Sequence, residues 1–124
     1  MKFLCVVHVD EQQLAAMPVG EFKALDEASL AHDQTMRKGG HLVTASALQS
    51  AHDGATVKVR NGKVTVTDGP FAETKEQIGG FLLIEATDRE EAIKLASQVP
   101  VAGYGVIEVR QCRDLSTGEE WTGR

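Results

Sequence analysis

The sequence predicts an α+β domain built on one antiparallel sheet with helices packed against it. Three observations carry this. Strand-like runs open and close the chain at residues 2–9 and 104–112. Two segments with apolar residues at helical spacing are each placed between strand-like runs. Between these two units lie short alternating runs around Asn61-Gly62, a two-residue turn signal that demands positive φ.

The run 2–9 is apolar on both faces, with Phe3, Cys5 and Val7 set against Leu4 and Val6, so it belongs in the middle of a sheet. Residues 10–16 suit a short helix that stops before Pro18. Residues 20–38 form the long helix, with Phe22, Leu25, Ser29, His32 and Met36 on one side. Arg37 and Lys38 complement its C-terminal dipole, and Gly39-Gly40 ends it. A second strand is expected at 41–48, followed by an Asp53-Gly54 turn.

Residues 56–60 and 63–67 form a hairpin whose register pairs Val59 with Val64 and Val57 with Val66. One face of that ribbon is apolar. An isolated hairpin is marginal in water, so the face needs cover. A strand follows at 80–86, and Thr87 with Glu90 reads as a capping box for the second helix. Ala92, Leu95, Ala96 and Val99 form its apolar stripe, and Pro100 stops it. In the last strand Ile107 and Val109 share one side, opposite Val106, Glu108 and Arg110. Setting the hairpin aside leaves the split βαβ pattern of ferredoxin-like folds. Helices then cover one face of the sheet, and a second copy of the chain is the economical cover for the other.

A length of 124 residues fits one domain, with a core at about 1–113 and a polar tail at 114–124 that carries Trp121. A formal charge of -5 argues against binding a nucleic-acid backbone. No apolar run is long enough for a membrane span, and the first strand lacks the flanks of a secretory leader, so a cytoplasmic protein is expected. Cys5 and Cys112 have neither zinc nor redox spacing and read as buried thiols. The four histidines are scattered and make no metal motif. No phosphate loop and no nucleophile elbow is present, so no cofactor is expected.

The densest local chemistry lies in residues 66–81, and loops of that kind carry function. Asp68 cannot bond the amide two residues on, because Pro70 has none. It is either a turn residue held by the Phe71 amide or an acid/base group at a cleft, with Gly69 kept extended by the proline. Glu73, Lys75 and Glu76 read as a solvated helical turn with mutual ion pairs, Thr74 and Gln77 capping it, or as groups facing the same cleft. Gly79-Gly80 suits a bulge or close packing. His32 is a core histidine bonded to a carbonyl or, if it lines a cavity, the best general base in the chain. His8 offers the same two readings at the end of its strand. His41 and His52 read as surface residues.

The run Asp68-Gly69-Pro70-Phe71, then Ala72-Glu73-Thr74-Lys75-Glu76-Gln77, then Gly79-Gly80-Phe81, resembles the signature of the DGPF proteins, a branch of the YCII-related group. Val106-Ile107-Glu108-Val109-Arg110 resembles that group's closing strand. The resemblance implies a dimeric α+β barrel, an unsettled activity, a suspected His–Asp pair in the wider group, and an association of some relatives with extracytoplasmic-function sigma factors. Two functions are therefore expected in competition. The first is a cofactor-independent acid/base enzyme in which Asp68 works with His32 or His8, Lys75 or Arg110 holds an anionic group, and Phe71 and Glu73 help bind the substrate. The second is a metabolite-sensing or regulatory module.

Overall fold

The computed structural model describes residues 1–124. The first strand, β1 (Lys2–Val9), alternates strictly, with Phe3, Cys5, Val7 and Val9 buried on one face. Asp10 caps the short helix α1 (Glu11–Ala15) by accepting from the Gln12 and Gln13 amides. The long helix α2 (Val19–Lys38) starts after Pro18 and ends at Gly39. Next come β2 (Leu42–Ala47), a 3₁₀ turn (Ala51–Asp53), the hairpin β3 (Ala55–Arg60) and β4 (Lys63–Asp68), and β5 (Gln77–Glu85). Helix α3 (Arg89–Ser97), a second 3₁₀ turn (Pro100–Gly103), β6 (Val106–Gln111) and a last 3₁₀ turn (Leu115–Thr117) complete the chain.

The four long-range strands form one sheet in the order β2-β5-β1-β6, antiparallel at each pairing. That is the ferredoxin-like arrangement expected from the split βαβ pattern, and β1 is central as its two apolar faces require. Met36 from α2 and Ala92 and Ala96 from α3 join Phe3, Cys5, Ile84 and Leu82 in the core on the helix side. The opposite face carries Leu4, Val6, Phe81 and Leu83, all half-buried, with no helix over them.

The hairpin forms a separate two-stranded sheet with the expected register, Val59 opposite Val64 and Val57 opposite Val66. Asn61 (φ 52°) and Gly62 (φ 76°) supply the positive φ that the tight turn needs. Its valines find no cover within the chain: Val57 is 63% exposed and Val66 60%.

Several local expectations are corrected. Helix α3 is capped by Asp88, which accepts from the Glu91 amide, while Glu91 reaches back to the Thr87 amide at 2.9 Å. The capping box thus stands one residue later than Thr87 and Glu90, because two overlapping pairs fit the same motif. Residues 73–76 are irregular, with a bend at 75–76 and no helical turn, and no ion pair joins Glu73, Lys75 and Glu76. Gln77 has been recruited to β5, and its side-chain amide ties the loop down at Ala72 O (2.8 Å) and Thr74 O (3.2 Å). Cys112 is half-buried, whereas Cys5 lies in the core, where burial and the neighbouring Cys112 push its thiol up to about 11.

Candidate functional site

Helix α2 does not pack flush on the sheet. Its face of Phe22, Leu25, Ser29 and His32 stands over a cavity of about 500 Å³. Large residues at these positions would fill such a space. Here the sheet contributes Ala45, Ser46 and Ala47 from β2, Gly79, Gly80, Phe81 and Leu82 from β5, and Val7 and Val9 from β1. Small residues on β2 and at the start of β5 leave the space, and Leu82 keeps it apolar. The two glycines are required by packing. A Cβ on Gly80 would stand 2.8 Å from the Ser46 carbonyl oxygen, and one on Gly79 would stand 2.6 Å from Val9 Cγ2. The register between β1 and β5 also slips at this point, leaving Gly79 as the extra residue of a bulge.

The polar groups of the cavity sit on its walls. Ser29, Asp26, His32 and Asp33 come from α2, Glu11 from α1, and Gln49 and Ser50 from the segment after β2. Glu11 clasps that segment. Its carboxylate accepts from Ser50 Oγ at 2.6 Å and from the Ala51 amide at 2.8 Å. The hydroxyl bond first, then the amide bond, hold its pKa below the ordinary carboxylate value, so it is ionised at neutral pH. His32 is the exception among the polar groups. Its Nδ1 is buried and has no hydrogen-bond partner. Buried polar atoms in native proteins are nearly all paired, so this ring lacks the carbonyl anchor usual for a core histidine, and it meets the cavity through the rest of the imidazole.

Of the candidate catalytic and substrate-binding residues named from the sequence, His32 alone lines this cavity. His8 is on the same strand as Val7 and Val9 but points to the opposite face of the sheet. There its Nε2 lies 3.0 Å from Glu108 Oε1, with Arg110 further along β6. His8 and His32 thus lie on opposite sides of one sheet and cannot share a site within a chain. Asp68 ends β4, opposite Ala55, exposed, and its carboxylate accepts no hydrogen bond, neither from the Phe71 amide nor from any other group. The turn is held without it. The Gly69 amide donates to Gly54 O at 2.7 Å, and Thr56 Oγ1 donates to Gly69 O at 3.0 Å. Gly69 adopts φ +90°, the glycine-favouring range, not the extended form expected before proline. Phe71 is 91% exposed, and Glu73, Lys75 and Arg110 are exposed as well. The structure does not bring any of these five residues to His32. His41, read as a surface residue, is half-buried, with Nδ1 2.9 Å from Glu85 O.

Asp26, Asp33 and Glu11 were missed. The first two had a usable signal, since Asp26, Ser29 and Asp33 follow helical spacing on the side that carries His32. Glu11 had none. An acidic residue in a first turn reads as a dipole complement, and its partner Ser50 is 39 residues away. The described residues contain no cluster of His, Cys, Asp and Glu suited to a metal ion, and no helix is long and apolar enough to cross a membrane.

The chain is similar in fold to the 5-chloro-2-hydroxyhydroquinone dehydrochlorinase from Burkholderia phenoliruptrix AC1100, solved in complex with 2,5-dihydroxybenzoquinone. The match has a TM-score of 0.52 and 18% identity, and it covers 91% of this chain and 94% of that one. An uncharacterised protein of Rhizobium meliloti (strain 1021) is 37% identical over 84 residues, which is 66% of this chain and 68% of the relative. The family model described as the YCII-related domain matches residues 1–116. On that match, which takes in the whole sheet, both main helices and the cavity under α2, the chain belongs to the YCII-related family.

Proposed function

We propose that this protein is a small-molecule acid/base enzyme whose site is the cavity under α2, with His32 as the proton-transferring group. One observation carries the reading: His32, whose imidazole is hydrogen-bonded to no other group of the chain, is the one histidine lining a cavity large enough for a single small ring compound. A histidine titrates near neutral pH and takes or gives a proton without a cofactor. The fold neighbour is a dehydrochlorinase of a hydroxylated ring, which agrees with a compact aromatic substrate.

Asp68 joins this site only if a second copy brings its hairpin over the mouth of the cavity. We propose that two copies associate through the helix-free sheet face and the valine side of the hairpin. Both surfaces are apolar and neither is covered within the chain.

A sensing module is the second reading. It is favoured by the fact that no carboxylate bonds His32, so no group of the chain fixes the imidazole tautomer. Proton exchange separates the two readings. Small phenols and ketones are incubated with the protein in D2O, and loss of C–H signals is followed by NMR. The enzyme reading predicts catalysed exchange that falls by about 10²–10⁴-fold in His32→Gln, the range for a positioned acid/base group. Exchange at the same rate in His32→Gln, or ligand binding with no exchange across the panel, contradicts it.

A further inference from the structure

The charge inventory of the cavity adds a ligand class to the reading just given, on which this inference rests. The lining includes Glu11, Asp26 and Asp33, but no lysine and no arginine. Glu11 is ionised, as its bonds to Ser50 and Ala51 require. His32 is the one basic side chain present. The chain as a whole carries a formal charge of -5, so the long-range field has the same sign as the walls. Lys75 and Arg110, expected from the sequence to grip an anion, lie outside the cavity.

We infer that the cavity takes a compact, mostly apolar molecule with no negative charge. Its hydroxyl or amine hydrogen-bonds the cavity-facing part of the His32 imidazole, while Asp26, Asp33 and Glu11 repel carboxylates and phosphates. The apolar body meets Phe22, Leu25 and Leu82. A carboxylate entering this space leaves water, finds no cation to pair with, and meets charges of its own sign.

Three probes of matched size test this: benzyl alcohol, benzylamine (a cation at neutral pH) and benzoate. Binding to the intact protein is measured by ligand-observed NMR and thermal shift near pH 7.5, in wild type, in Asp26→Asn/Asp33→Asn, and in Ala45→Phe, which places a ring in the cavity. The expected result is that benzoate binds at least tenfold more weakly than either other probe. The double Asn variant gains several-fold for benzoate and loses for benzylamine, and Ala45→Phe loses all three. Benzoate binding as well as benzyl alcohol, an unchanged order in the double variant, binding that survives Ala45→Phe, or no binding by any probe at about ten millimolar overturns the inference. None of these readouts requires turnover. Failure of His32 in proton exchange therefore leaves this order standing, and a wrong order leaves the exchange result standing.

Discussion

Replacing His32 by Leu should stabilise this protein, which is the reverse of what most core substitutions do. The reasoning starts from one atom. Nδ1 of His32 is buried with no partner in the chain, and such an atom costs about 1–3 kcal/mol against the same atom hydrogen-bonded in water. Leu is similar in bulk, fills the same helix face beside Leu25 and Ser29, and carries no polar atom. Its better helix propensity adds a few tenths of a kcal/mol. The net gain is then about 1–2 kcal/mol, once some loss of fit is allowed for. For a chain of this length, between the size classes for which the scaling is known, that raises Tm by about 4–8 °C. The assay is thermal unfolding by circular dichroism at two protein concentrations tenfold apart, so that self-association does not masquerade as intrinsic stability. The same variant should lose proton exchange. A core histidine bonded to a carbonyl behaves in the opposite way, since its replacement leaves that carbonyl unpaired and lowers Tm. An unchanged or lowered Tm in His32→Leu would therefore refute the claim that this nitrogen is buried without a partner.

Four further outcomes follow. Gly80→Ala should cost about 1–3 kcal/mol, because the new methyl meets the Ser46 backbone carbonyl, which cannot swing aside; chemical denaturation measures it, and a neutral result would contradict the packing role. Glu11 has a folded pKa below its unfolded one, so its clasp stabilises above the unfolded value and is lost as pH falls through the folded value. Acid melts below about pH 4.5 should therefore show a shallower loss in Glu11→Gln than in wild type, by a small amount because the group is exposed; identical profiles would contradict the clasp. Cys5, with its thiol at about 11, is roughly a thousandth thiolate at pH 8, so a thiol reagent should label half-buried Cys112 first and Cys5 only on unfolding; equal rates by mass spectrometry would contradict this. Val57→Thr/Val66→Thr removes apolar surface from the hairpin while keeping strand propensity. If two copies meet there, sedimentation should show association weakened by about tenfold or more, and a wild type that stays monomeric at about a hundred micromolar would contradict the pairing.

What was legible in the sequence was what local chemistry decides. The bounds of β1 came from its short run of apolar residues, and the hairpin register came from Asn61-Gly62, because a two-residue turn leaves only one pairing. The place of β1 at the sheet centre followed from its two apolar faces. The misreadings arose where two local solutions compete. Thr87 and Asp88 each precede a glutamate by three residues, and only tertiary placement of α3 chooses between them. Gln77 was read as a cap but serves a strand, since pairing with Val9 decides its backbone.

For the site, the sequence pointed to a polar group without a local partner, and chose Asp68. The structure holds Asp68 in a turn that needs nothing from its carboxylate, and the unpartnered group beside a cavity is His32. That residue was visible as the polar member of an apolar stripe. The cavity itself was not, because it results from small residues on β2 and β5, which are neighbours only after folding.

The most direct measurement is a ¹⁵N NMR titration of the imidazole side chains with benzyl alcohol. The account predicts that the His32 nitrogens shift and saturate with the ligand, while those of His8, on the far face of the sheet, stay in place. Shifts confined to His8 or to the loop after Asp68, with His32 unmoved at saturation, would contradict it.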